Sequence, residues 1–144
     1  MRPIRAEADG VYALYPDIYS MADVVVYPTG WEGFGNQLIE AFAAGLPSIV
    51  FEYPVYKEDI APKGFEIVSL GDRILDKRDA AGLVLAPHEV LEAAAERTLT
   101  ILGDPQEYRR IAARNAELGA HHFGPPVLDD HLRRSIEWAR AASR

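Results

Sequence analysis

Apolar positions cluster first in Val24, Val25, Val26 and Tyr27, an unbroken run that Pro28 and Thr29 bring to an end. A run so short and so rich in β-branched residues predicts a strand of a parallel sheet, covered on both faces. Gly30, Gly33 and Gly35 then alternate with Trp31, Glu32 and Phe34, which predicts a tight turn. From Asn36 to Ala44 the helix formers Leu38, Glu40, Ala41, Ala43 and Ala44 follow without a proline, and Gly45 and Pro47 supply the stop. Leu38, Ile39 and Phe42 form the core-seeking stripe of this helix, with Gln37 and Glu40 sharing another face. Pro47 to Glu52 is a second compact apolar run, expected to lie parallel to the first. A strand, a helix and a parallel strand in that order make a right-handed crossover, and such sheets bind ligands at the carboxyl ends of their strands. The turn from Thr29 to Asn36 lies at that edge.

Further along, Phe65 to Leu70 reads as a third strand, and Gly71 to Ala80 is charged and turn-like. Gly82 to Pro87 is either a fourth strand or an extended segment before a helix. The last third is helical. Leu91, Ala94, Ala95, Thr98, Leu99 and Leu102 keep the helical period, and Gly103-Asp104-Pro105 closes one helix and opens another with Asp104 as N-cap. That second helix is expected to run to about Gly119. Pro125 and Pro126 open a third, with Val127, Leu128, Leu132, Ile136 and Trp138 as its apolar positions. Ahead of the first strand, Leu14, Ile18 and Met21 suggest a short helix within Val11 to Met21, while residues 1–10 read as an arm. Tyr12, Tyr15 and Tyr19 offer either a stacking platform for bases or packing aromatics, and their helical spacing favours packing.

The whole is an α/β fold: a partial Rossmann-like, three-layer parallel sheet of about three to four strands with C-terminal helices. A chain of 144 residues, 49% hydrophobic, suffices for one domain, with the arm at 1–10, the α/β part at 11–87 and the helices at 88–144. The absence of cysteine rules out disulfides and thiolate metal sites. A net charge of −7 argues against a nucleic-acid surface, since neutralising phosphates calls for a basic patch. Arg73, Lys77 and Arg78 alternate with acidic residues and read as a solvated face. His121, His122 and His131 lack metal-ligand spacing, so no metal is expected. No apolar run reaches membrane-spanning length, and a cytoplasmic location is the expectation.

The chemistry concentrates in the glycine-rich turn. Its glycines either leave room for a ligand to approach the backbone or serve the turn sterically. Unpaired amides at the helix start would suit a phosphate or sugar hydroxyls. Glu32 and Glu40 are either solvated carboxylates near a helix start, where the dipole favours them, or acceptors for the hydroxyls of a sugar or ribose.

Ala22-Asp23-Val24 to Pro28, Glu32-Gly33-Phe34-Gly35, Glu40-Ala41 and Ala44-Gly45-Leu46-Pro47 together resemble the donor-site segment of retaining GT-B glycosyltransferases of the family 4 type. The resemblance includes two glutamates separated by seven residues. It implies that Glu32 is the catalytic-site residue facing the donor sugar, with the amides of Gly33, Phe34 and Gly35, and that Glu40 holds the nucleotide ribose. Thr29, Gly30, Asn36 and Gln37 complete the implied donor site, the last two at positions more often apolar in the family. A supporting glutamate of the following loop corresponds to Glu58 or Asp59. The implied substrate is a nucleotide sugar, without cofactor or metal, and the acceptor a hydroxyl compound. The chain resembles only the second half of the donor domain. The family's diphosphate-neutralising Arg and Lys have no match here, which implies inactivity without an N-terminal half. The strand left at the sheet edge implies a homodimer or a separately encoded partner. The alternative is a non-catalytic sugar- or nucleotide-binding or protein-interaction module derived from such an enzyme.

Overall fold

In the computed structural model, which describes residues 18–142, the valine run forms strand β1 (Val25–Tyr27). Helix α1 (Asn36–Ala43) follows, and strand β2 (Ser48–Val50) returns parallel to β1, with Val25 opposite Ser48 and Tyr27 opposite Val50. Strand β3 (Val68–Ser69) adds to the far side of β2, also parallel, giving the order β1-β2-β3. β1 therefore pairs on one side only among the described residues. Its expected cover on both faces is not found: Val26 is 57% exposed, because the helices pack against the β2 and β3 part of the sheet. The arm at 1–10, Tyr12 and Tyr15 lie outside the described residues, as does most of the expected helix from Val11 to Met21. At its end Ile18 and Tyr19 are helical, and the Met21 amide donates to the Ile18 carbonyl at 3.2 Å.

Adjacent residues of β2 serve opposite faces, as strand geometry requires. Val50 joins Leu38, Phe42, Phe51, Tyr53, Tyr56, Ile60 and Phe65 on one side, where the rings of Phe42 and Phe65 stack at 4.4 Å. Ile49 packs on the other side against a smaller cluster of Val68, Ala94, Ile101 and Ile111. The three layers expected from the sequence thus arise from α1 on one face and helix α2 (His88–Gly103) on the other.

Helix α3 (Pro105–Phe123) belongs to both clusters. Ile111 enters the smaller one, while Leu118 and Phe123 pack on the larger. Asp104 caps it, accepting from the amides of Gln106 and Glu107 at 2.9 and 3.2 Å, and the helix runs one turn past the expected end near Gly119. Between the two apolar stretches sits Asn115, fully buried. Its amide nitrogen donates to the Glu66 carbonyl at 2.7 Å, and its oxygen accepts from the Glu66 amide at 2.9 Å. One side chain thereby satisfies both backbone groups of the residue that leads into β3. The Glu66 carboxylate reaches back to Arg110 at 2.6 and 2.7 Å, and that pairing first of all holds it below the usual carboxylate range.

Two expectations need correction. Gly71 to Ala80 is not merely turn-like, because strand β4 (Leu75–Arg78) forms there, and the Gly82 to Pro87 segment contributes β5 (Val84–Leu85) antiparallel to it. The pair makes a separate hairpin and leaves the parallel sheet at three strands among the described residues. Its turn is fixed by Asp79, whose carboxylate accepts from the amides of Ala81 and Leu83, both at 2.9 Å. The last helix, α4 (Pro125–Ala142), is present, but Leu128, Leu132, Ile136 and Trp138 are exposed and it buries none of its residues. No helix among the described residues is long and apolar enough to cross a membrane.

Replacing Asn115 by alanine strands the Glu66 amide and carbonyl inside the protein. Urea denaturation should register a loss of about 2 to 6 kcal/mol, since two groups lose their partner and each buried unpaired group costs roughly 1 to 3 kcal/mol.

Candidate functional site

The turn between β1 and α1 is built on Gly35, which precedes the helix in a left-handed conformation with φ of 89°. That conformation disfavours any residue with a Cβ, and here a Cβ would also overlap the Tyr53 hydroxyl and lie 3.3 Å from that of Tyr27. Glycine is thus required twice over. Tyr53 comes from the loop after β2, is fully buried, and donates its hydroxyl to the Phe34 carbonyl at 2.9 Å. Its ring lies 6.1 Å from that of Tyr27 and 5.9 Å from that of Tyr56. The Phe34 ring in turn packs edge-on against Phe123 of α3 at 5.4 Å.

Glu32 is held at both carboxylate oxygens. The Tyr27 hydroxyl donates to Oε2 and the Gly33 amide to Oε1, each at 3.0 Å. Both contacts leave the carboxylate half-buried, with lone pairs to spare for hydroxyl donors. Glu40, on the first turns of α1, accepts from the Tyr19 hydroxyl at 3.0 Å, and the same hydroxyl lies 3.1 Å from the Gln37 carbonyl. Thr29 donates to the Trp31 carbonyl at 2.9 Å, which closes the turn's first half. Gly30 lies against Ile74, for a Cβ there would meet the Ile74 side chain at 3.2 Å, so the hairpin flanks the turn. Trp31 is 81% exposed.

At the start of α1 the side chains of Asn36 and Gln37 are exposed, and no side chain caps the helix. The Leu38 amide is taken by the Gly35 carbonyl at 3.0 Å, while those of Asn36 and Gln37 have no acceptor among the described residues and lie at the positive end of the helix dipole, an arrangement suited to an anion. The carboxylates beside it are acceptors for hydroxyls. Together these groups can take a ligand that is anionic at one point and rich in hydroxyls on either side.

Glu32, Gly33, Phe34 and Gly35 thus form one hydrogen-bonded unit, with Thr29 and Gly30 on its β1 side and Asn36, Gln37 and Glu40 on α1. Glu58 and Asp59 are not drawn into it. Both are exposed on the irregular helical turn Tyr56–Ile60, where the Asp59 carbonyl accepts from Lys63. Arg78 is engaged within the hairpin, donating to the Gly82 carbonyl at 2.7 Å. No cluster of three His, Asp or Glu suited to a metal ion occurs among the described residues.

Three residues of the candidate site are not singled out for it by the sequence: Tyr27 and Tyr53, and Tyr19, whose spacing favours packing over base stacking and whose hydroxyl meets a carboxylate. The available signal was the position of Tyr27, a phenol ending a run of valines directly before the turn.

The family model of glycosyl transferases group 1 matches residues 12–119. The mannosylglucosylglycerate synthase of Thermotoga maritima is 43% identical over 124 residues, covering 86% of this chain and 28% of that protein. The protein of the same name from Petrotoga mobilis is 43% identical over 120 residues, or 83% of this chain and 27% of that one. The lipopolysaccharide core biosynthesis mannosyltransferase LpsB of Rhizobium meliloti is 31% identical over 110 residues, 72% and 31% of the two chains. The chain therefore spans between a quarter and a third of the length of these relatives. No solved structure gives a significant match.

Two outcomes follow from the way the turn is held. Gly35→Ala should destabilise the protein by at least about 1 kcal/mol, read in urea denaturation, because the left-handed conformation and the Tyr53 hydroxyl both resist a methyl group. Burial, and then the charge of Glu32, push the Tyr53 hydroxyl up to about 12, and burial does the same for Tyr56. Between the ordinary tyrosine value of about 10 and about 12 the unfolded chain has lost protons that the native state keeps. Stability should therefore be full below pH 10 and fall as the pH rises through that window, with Tyr53→Phe flattening the fall.

Proposed function

The chain belongs to the glycosyl transferases group 1 family, and from that membership we propose that it forms the donor-binding portion of a retaining glycosyltransferase. In this reading a sugar passes from a nucleotide diphosphate to a hydroxyl acceptor. One observation carries it: two carboxylates separated by seven residues flank an open helix N-terminus, and each is already hydrogen-bonded by a tyrosine.

Each ligand moiety then has its own partner. Glu32 accepts hydroxyls of the donor sugar, beside the amides of Gly33, Phe34 and Gly35. Glu40 accepts those of the ribose. The diphosphate lies over the amides of Asn36 and Gln37, bordered by Thr29 and Gly30, where the helix dipole favours negative charge. No metal enters this reading. Departure of the diphosphate concentrates charge on its oxygens as the acceptor attacks from the same face, and stabilising that charge dominates the barrier. The segment from Pro28 to Ala44 holds no Arg or Lys. Cations must then come from outside this segment, and in this reading catalysis draws on another part of the protein or on a partner. Among the described residues β1 pairs only with β2, which supports such an association, with a second copy or a separately encoded half.

The relatives' names bring mannosyl transfer within the proposal, with a glucosylglycerate as an acceptor of the right class. The missing cations also favour a second reading, a module that binds sugar nucleotides without turning them over.

Calorimetric titration of the chain with the mannose and glucose forms of UDP, GDP and ADP tests the shared premise. Saturable binding to one of them is expected, weakened about tenfold or more by either Glu32→Gln or Glu40→Gln, because a hydrogen bond to a charged group is worth about 1.5 to 3 kcal/mol. Absence of binding at millimolar ligand would reject a donor site in this chain.

A further inference from the structure

We infer that Tyr27 and Tyr19 are positioning residues, each orienting one of the two glutamates toward a different part of the same ligand; this rests on the donor-site reading above. A carboxylate at the end of a flexible side chain has several rotamers, and ordering it when ligand binds costs free energy. A donor fixed in the protein removes part of that cost beforehand.

Tyr27 is well placed to act in this way. It ends β1, where the ladder to Val50 fixes its backbone, and its ring leans on the buried Tyr53 at 6.1 Å. Its hydroxyl reaches Oε2 of Glu32 at 3.0 Å while the Gly33 amide takes Oε1 at the same distance. Each oxygen of an ionised carboxylate has two acceptor positions, so one on each remains for ligand. Glu32 is thereby turned so that two neighbouring hydroxyls of one sugar ring can donate to it at once. Phenylalanine at position 27 would keep the packing and lose this orientation.

Tyr19 serves Glu40 differently. Its single hydroxyl proton faces two acceptors, Oε2 of Glu40 at 3.0 Å and the Gln37 carbonyl at 3.1 Å. It ties the carboxylate to the backbone of the first turn of α1. Oε1 of Glu40 takes no hydrogen bond from the described residues, which leaves that oxygen to the ligand. The two tyrosines thus act on separate ligand moieties, although both belong to one site.

The separation of roles supplies the test. The full chain is titrated calorimetrically with the mannose and glucose forms of UDP, GDP and ADP, and with the three sugar-free diphosphates. Tyr27→Phe should weaken the bound nucleotide sugar about tenfold and leave the free nucleoside diphosphate within about twofold. Tyr19→Phe should weaken both by a similar factor, since both ligands carry the ribose. A positioning residue also loses its effect once its target is gone. Tyr27→Phe placed on Glu32→Ala, which removes the acceptor altogether, should accordingly add less than about twofold, whereas a tyrosine that only supports the fold would add its full effect. If the parent chain binds a nucleotide sugar while Tyr27→Phe changes nothing, or weakens sugar-bearing and sugar-free ligands alike, the positioning role of Tyr27 is overturned and the donor site stands; if Tyr19→Phe leaves both ligands unchanged, the role of Tyr19 is overturned in the same way. If the parent binds none of these ligands, the donor site falls and the positioning role falls with it.

Discussion

The carboxyl edge of the sheet depends on one buried phenol. Tyr53 is fully buried, yet its hydroxyl must be satisfied, and the acceptor it finds is the Phe34 carbonyl in the middle of the turn. Burial raises its proton affinity, so it remains a donor at any ordinary pH. Because that hydroxyl occupies the space beside Gly35, the turn can close only without a side chain there, and closing it presents Glu32 to Tyr27. The aromatic core and the polar site are consequently parts of one constraint. Phe34 and Phe123 carry it on to α3, and from there to the far side of the domain.

How much of this was legible in the sequence depended on how far apart the partners lie along the chain. The β1-α1-β2 unit could be read because its signals are local: a valine run, glycine and proline punctuation, and an apolar stripe at Leu38 and Phe42 that the structure buries completely. The two glutamates and the glycines between them were legible for the same reason. Their supports were not. Tyr19 lies 21 positions from Glu40 and Tyr53 lies 19 from Phe34, and only the crossover brings them together. The Asn115 contact with Glu66, 49 positions apart, is beyond any local pattern.

The errors share a cause as well. The sequence Leu-Asp-Lys-Arg of β4 shows no alternation, because every one of its side chains is exposed and no core imposes a period on it. What makes it a strand is the ladder to β5 and the Asp79 turn. Val26 departs in the opposite sense, since a valine run normally marks a strand covered on both faces, and here Val26 stays exposed.

Asp104 closes α2 and opens α3 within a single residue. No slack exists at that corner. Adding one residue to the helical stretch beside it would turn everything beyond by about 100°. Ala94 and Ile101 would then leave the sheet, or Ile111 and Asn115 would leave their places between the two clusters. Length changes in descendants of this chain should therefore be borne by the hairpin, which can grow or shrink on its own ladder, while the helical corner keeps a fixed residue count even as its surface sequence drifts.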